Sequence, residues 1–195
     1  MILAAAALLA AFLGLGAWLG SGGAVVALDA WVQAGMKPLR VRPVVLAFDW
    51  LTQMGTGGAG AAVVLAASAL LWAGGRGLLV APLWACFVGA EATSWTAKFV
   101  FGRARPQFLE GITVGSPSYP SAHATVSVAV YGFLALVVAA AVPGRAAVLA
   151  VAGLWIGLIM FSRVLLSVHF LSDVVGGALV GGAWVLLCWR WAQSL

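Results

Sequence analysis

Ser162-Arg163-Val164-Leu165-Leu166-Ser167-Val168-His169-Phe170-Leu171-Ser172-Asp173 lies between two apolar runs, at about 146–161 and 174–192. Twelve residues bring a cation, an imidazole and a carboxylate to the junction of two apparent membrane spans. A helix running on from His169 would put Asp173, at i+4, on the same face. The carboxylate could then accept a hydrogen bond from one ring nitrogen and leave the other basic and free to attack. Arg163 offers a fork of donors suited to phosphate oxygens. The stretch therefore predicts a nucleophile, its orienting carboxylate and an anion clamp at the mouth of an apolar bundle.

Composition sets the class. The chain has 195 residues, 64% hydrophobic and only 8% charged, with mean hydropathy +1.12. Soluble domains carry about 25% charged residues, so this chain cannot cover itself for water and reads as an integral membrane protein of one domain, 1–195. The net charge of +5 would hint at nucleic acid in a polar protein. Here the cations flank apolar runs, which excludes nucleic acid and points to lipid headgroups or an anionic substrate. Cys86 and Cys188 each fall in an apolar run without CxxC spacing and read as small buried residues.

The chain divides into six candidate spans, at about 1–20, 55–73, 78–97, 124–142, 146–161 and 174–192, giving an all-α bundle of six transmembrane helices. The first reads as a retained span rather than a signal peptide, because the first Lys or Arg is Lys37. Residues 21–54 mix Asp29, Trp31, Lys37, Pro38, Arg40, Arg42, Pro43, Asp49 and Trp50 among apolar residues, and read as a segment in the headgroup layer. Short turns at 74–77 and 143–145 join antiparallel neighbours on one side. The longer links, 21–54, 98–123 and 162–173, then share the other side, so the active site is expected at one membrane face. Gly177 and Gly181 form a GxxxG in the last span, which signals close helix packing but also arises by chance in a Gly-rich chain.

Two further polar blocks fall on the inferred site face. In the first, Lys98 and Arg105 are seven apart, two turns if the helix continues, while Pro106 discourages helix at Arg105; the two combine a point charge with a bidentate fork. Snorkelling at a span end is an equal reading for each in isolation, and the preferred one for Arg103, which is off that spacing. The second is Tyr119-Pro120-Ser121-Ala122-His123. Ser121 is placed to cap a helix whose first N–H groups bind anions, and His123 could protonate a departing oxygen. The chain has only two histidines, and both fall in these blocks. Zinc spacing and grouped magnesium carboxylates are missing from the blocks, so the expected chemistry uses no metal and no cofactor.

The order K-x6-R-P, P-S-A-H and S-R-x5-H-x3-D resembles the type 2 phosphatidic-acid phosphatase superfamily. The resemblance implies that His169 attacks phosphorus to form a phosphohistidine, that Asp173 orients it, and that His123 protonates the leaving oxygen. It implies that Lys98, Arg105 and Arg163 hold the phosphate oxygens with Ser121 and the N–H of Ala122. The family usually has Gly where this chain has Ala122. Alanine keeps the donor provided φ is negative there.

Glu91, seven residues before Lys98 inside a span, is a candidate for pairing with a site cation and so influencing the site directly, or for a plain interhelical hydrogen bond. Glu110 reads as a solvated loop residue. The implied activity is hydrolysis of a lipid phosphate or diphosphate: phosphatidic acid, phosphatidylglycerol phosphate or a polyprenyl diphosphate. A lipid phosphotransferase using the same site, and a non-catalytic anion- or lipid-binding protein, are the alternatives. Seven of the ten Lys and Arg lie on the inferred site face. A direct positive-inside count would therefore make that face cytoplasmic. Setting aside the three phosphate-binding cations leaves four against three, which decides nothing. The resemblance, to bacterial members in particular, implies an inner membrane with an extracytoplasmic site. Oligomeric state has no sequence signal.

Overall fold

The computed structural model describes residues 1–106 and 115–195; Glu110 lies outside them. The described residues form nine α-helices: α1 (Ile2–Ser21), α2 (Ala24–Met36), α3 (Arg42–Thr52), α4 (Gly57–Ala73), α5 (Val80–Phe101), α6 (Ala122–Val126), α7 (Gly132–Ala139), α8 (Arg145–Leu165) and α9 (Leu171–Ala192). A π-helical turn, Ser127–Tyr131, joins α6 to α7. Five helical stretches are long and apolar enough to cross a membrane. A sixth arises if α3 and α4, bent by 53° at their junction, count as one span. This is the all-α membrane bundle expected from composition.

Helix α9 organises the bundle, packing against α1, α5 and α6, while α8 packs against α3 and α7. Its glycines make that position possible. A Cβ on Gly177 would sit 2.4 Å from the Ser121 carbonyl oxygen, and one on Gly181 would sit 2.7 Å from that of Thr125. Both distances are well inside contact, so the backbones of α9 and α6 meet only because these side chains are missing. The GxxxG is thus a real packing motif. It sets the first turns of α6 and α9 side by side, and the Ser121 N–H donates to the Asp173 carbonyl at 2.9 Å.

Further into the bundle, Leu83, Cys86 and Phe87 of α5 pack with Val126, Val130 and Phe133. Cys86 and Cys188 are both buried and unbridged, as expected.

Three helices run past the apolar runs at their site ends. Helix α5 continues to Phe101, α8 to Leu165, and α9 starts at Leu171. Lys98, Arg163 and Asp173 are thereby inside helices, because their charges meet partners within the bundle. Segment 21–54 also does more than lie in a headgroup layer. Its α3 packs on α8, and its Asp29 is 1% exposed. Trp31 and Trp50, by contrast, are 73% and 78% exposed.

Candidate active site

The nucleophile candidate sits in a turn. His169 lies between α8 and α9, before the first residue of α9, so the expected helical i+4 pairing with Asp173 does not occur. The pair forms by another route. Asp173 is the third residue of α9, and its Oδ2 reaches back to accept the Phe170 N–H at 2.8 Å. That contact caps the helix start and leaves the same oxygen 3.5 Å from His169 Nδ1. Ser118 stands beside them, its hydroxyl donating a short hydrogen bond to Asp173 Oδ2 and lying 3.5 Å from Nδ1. Nδ1 therefore faces acceptors and carries the proton, leaving Nε2 with its lone pair.

Arg105 meets that lone pair: its NH1 is 3.1 Å from His169 Nε2 and donates to the Val168 carbonyl at 2.7 Å. Its Nε and NH2 hold the Ser116 carbonyl, Ser116 hydroxyl and Pro117 carbonyl. Helix α5 ends at Phe101, so Lys98 and Arg105 do not share a helical face. Gly102, in the left-handed region at φ 59°, turns the chain and bonds its N–H to the Lys98 carbonyl. Arg105 reaches the site through this turn. Lys98, 1% exposed, gives its ammonium to the Pro117 and Pro120 carbonyls at 2.8 and 2.7 Å. It braces the 115–121 loop from beneath. Tyr119 pins that loop from the other side, its hydroxyl on the Phe12 carbonyl at 2.7 Å and its ring stacked on Phe12.

Ser121 is the N-cap of α6, and its hydroxyl accepts the Ala124 N–H. Ala122 is the first residue of that helix. Among the described non-glycine residues only Ser167 has positive φ, so the alanine at 122 is unstrained. His123, in the first turn, is half-buried. It lies within electrostatic reach of His169, Arg163, Lys98 and Arg105. Arg163 donates NH1 to Thr52 Oγ1 at 2.8 Å, and its buried Nε has no hydrogen-bond partner among the described residues. Thus the polar blocks from 98–105, 116–123 and 162–173 meet at one end of the bundle. Glu91 lies apart from the nucleophile, against Gly57 of α4: its Oε1 is 2.8 Å from where a Gly57 Cβ would stand. It is within electrostatic reach of Lys98.

Burial governs the charge of the centre. His169 is 2% exposed, and loss of water pushes its imidazole down to about 3. Asp173 opposes that shift, and the charges of Arg105 and Arg163 reinforce it. His169 is therefore neutral at pH 7, with its Nε2 lone pair turned to Arg105 NH1. Arg105 is lowered by burial, with Asp173 partly restoring it, and stays a cation.

The largest correction concerns Arg103. It is no snorkelling cation: its NH1 meets Asp173 Oδ1 at 2.5 Å and its NH2 meets Asp29 Oδ2 at 2.8 Å. Ser118, Thr52, Asp29 and Gln33 were also missed. Gln33 donates to the His169 carbonyl at 2.8 Å. None belongs to a spaced motif. The only sequence signal was the burial-averse chemistry of Asp29 in an apolar helix.

A family model described as the PAP2 superfamily matches residues 79–195. Comparison with curated proteins finds no match. Among solved structures, a transmembrane PAP2-type phosphatidylglycerolphosphate phosphatase from Bacillus subtilis superposes with a TM-score of 0.91 at 22% identity. That match covers 98% of this chain and 96% of that one. LpxE from Aquifex aeolicus superposes at 0.65 with 21% identity, over 84% of this chain and 95% of that one.

Proposed function

The chain belongs to the PAP2 superfamily, and from that premise we propose that it hydrolyses the phosphate of a membrane lipid through a phosphohistidine on His169. The observation that carries this reading is the buried neutral imidazole, with Nδ1 turned to Asp173 and Nε2 beside an arginine fork. Nε2 attacks phosphorus as the bond to the lipid oxygen breaks, and His123 gives that oxygen a proton. Water then attacks phosphorus with His123 taking its proton, the P–N bond breaks, and inorganic phosphate leaves. Arg105, Arg163 with its unpaired Nε, and the N–H groups opening α6 hold the phosphoryl oxygens as charge builds. Lys98 adds charge and keeps the loop in place.

The substrate class follows from the setting and the neighbours. The site lies at one end of an apolar bundle, a position suited to a phosphate whose tail stays in lipid. The Bacillus subtilis neighbour acts on phosphatidylglycerolphosphate, and that substrate is the first to test, followed by phosphatidic acid and a polyprenyl diphosphate.

A site on the extracytoplasmic face of the membrane is supported by a recount of charge. Arg40, Lys98, Arg103, Arg105 and Arg163 are all committed to contacts inside the protein. Only Lys37 and Arg42 then remain for topology on the site face, against Arg76, Arg145 and Arg190 on the other.

The test is phosphate release by purified protein in detergent. His169→Ala should abolish turnover, and EDTA should leave it intact. Loss on chelation, restored by a divalent ion, would contradict the mechanism. Transfer of phosphate to an alcohol acceptor without free phosphate would favour the phosphotransferase alternative.

A further inference from the structure

Helix α2 has 13 residues, about 20 Å of helix, too short to span a bilayer core. Yet its Asp29 is buried, and a buried carboxylate is costly unless well paired. Asp29 Oδ1 accepts the Ser172 N–H at 2.9 Å, and Oδ2 accepts the Ser172 hydroxyl at 2.5 Å. Oδ2 also takes Arg103 NH2 at 2.8 Å. The other arm of that guanidinium, NH1, donates to Asp173 Oδ1 and to Ser172 Oγ. Its plane lies over the Phe170 ring, 4.3 Å from the centroid. One guanidinium therefore bridges the carboxylate of α2 and the carboxylate beside the nucleophile.

The division of labour on Asp173 gives this bridge its meaning. Oδ2 serves Ser118, the Phe170 N–H and His169, while Oδ1 has Arg103. Without Arg103 that oxygen is left buried with no other partner among the described residues, and the carboxylate loses the contact that fixes its rotation toward Nδ1. The same strap grips the nucleophile turn a second time. Gln33 holds the His169 carbonyl, while Arg40 holds the Leu165 carbonyl and the Gln33 side chain.

We propose that Arg103 is a positioning residue for the His169–Asp173 pair, anchored from helix α2 by Asp29, so that α2 is a working part of the active site. This rests on the reading of His169 as the nucleophile. Arg103 acts through Asp173, and its two arms are occupied by carboxylates, so its loss lowers turnover while leaving substrate binding nearly unchanged.

The experiment measures kcat and KM separately, with thermal unfolding, for full-length protein in detergent on a short-chain soluble phosphatidic acid. Arg103→Gln should lower kcat about 10- to 100-fold, the range for removing an outer partner that orients a histidine, with KM within about threefold. Arg103→Lys, which keeps the charge beside Asp173 without bridging, should recover part of that loss. Asp29→Asn keeps an acceptor for the Ser172 N–H and removes only the ion pair; it should lower kcat by about three- to tenfold. The double variant should be no slower than Arg103→Gln, because both act through one contact.

Wild-type kcat in Arg103→Gln, or a loss seen only in thermal stability, would overturn the assignment. So would additive losses in the double variant. If His169→Ala is dead while Arg103→Gln is fully active, this assignment alone falls. If the unaltered chain releases no phosphate from any lipid phosphate, the hydrolase reading falls and takes the assignment with it.

Discussion

Substituting His169 by Gln should make the protein less sensitive to acid, even as it removes activity. In the folded chain burial pushes the His169 imidazole down to about 3, whereas the unfolded chain returns it to the ordinary value of about 6.5. Below that ordinary value the unfolded state binds a proton that the native state refuses. Stability therefore falls as pH drops from about 6.5 toward 3, and the contribution is intact above that window. Linkage across a gap of this size costs about 3 kcal/mol between pH 7 and pH 4. Glutamine has no such proton to take up. Equilibrium denaturation in a non-ionic detergent at pH 7, 6, 5 and 4 should show the wild type losing about 3 kcal/mol more than His169→Gln over that range. The variant starts from its own baseline, so only the difference in slope matters. Parallel slopes would mean that the folded protein protonates His169 readily, and would refute the account of a desolvated neutral nucleophile.

Three other outcomes follow from single contacts. Gly177→Ala places a Cβ 2.4 Å from the Ser121 carbonyl, so α6 and α9 must part. Thermal unfolding should register a loss of about 1–3 kcal/mol, with a fall in phosphate release as His123 moves away from His169. Thr52→Val removes the acceptor of Arg163 NH1 and strands a buried charged donor. A stability loss of about 1–3 kcal/mol and a raised KM are expected, measured by denaturation and initial rates. Ala122→Gly should leave kcat within about twofold, because residue 122 already supplies its N–H from helical backbone. A large gain in rate would show that the alanine strains the loop.

The site was legible to the extent that its residues stand out against their surroundings. In a chain with only 8% charged residues, Lys98, Arg105, His123, Arg163, His169 and Asp173 are conspicuous, and alternating short and long links placed them on one face. Their geometry was less legible. The spacing of His169 and Asp173 predicts a meeting along a helix, and that of Lys98 and Arg105 one only if their helix continues, but in both cases a helix end intervenes. The pairs form because Asp173 caps α9 and because Gly102 turns the chain at the end of α5. Spacing in the chain thus reported the right residues through the wrong geometry.

Hydropathy and residue type by themselves determined that the chain is a membrane helical bundle and singled out the residues of the proposed histidine chemistry, because both depend on local properties: the cost of exposing apolar side chains to water, and the functional groups present. Tertiary structure alone decided which of the remaining polar residues support that chemistry. Arg103 finds Asp29 across 74 positions of chain and Asp173 across 70, and Ser118 finds Asp173 across 55. A buried charge must be paired wherever the fold offers a partner, and no local pattern records which partner that will be.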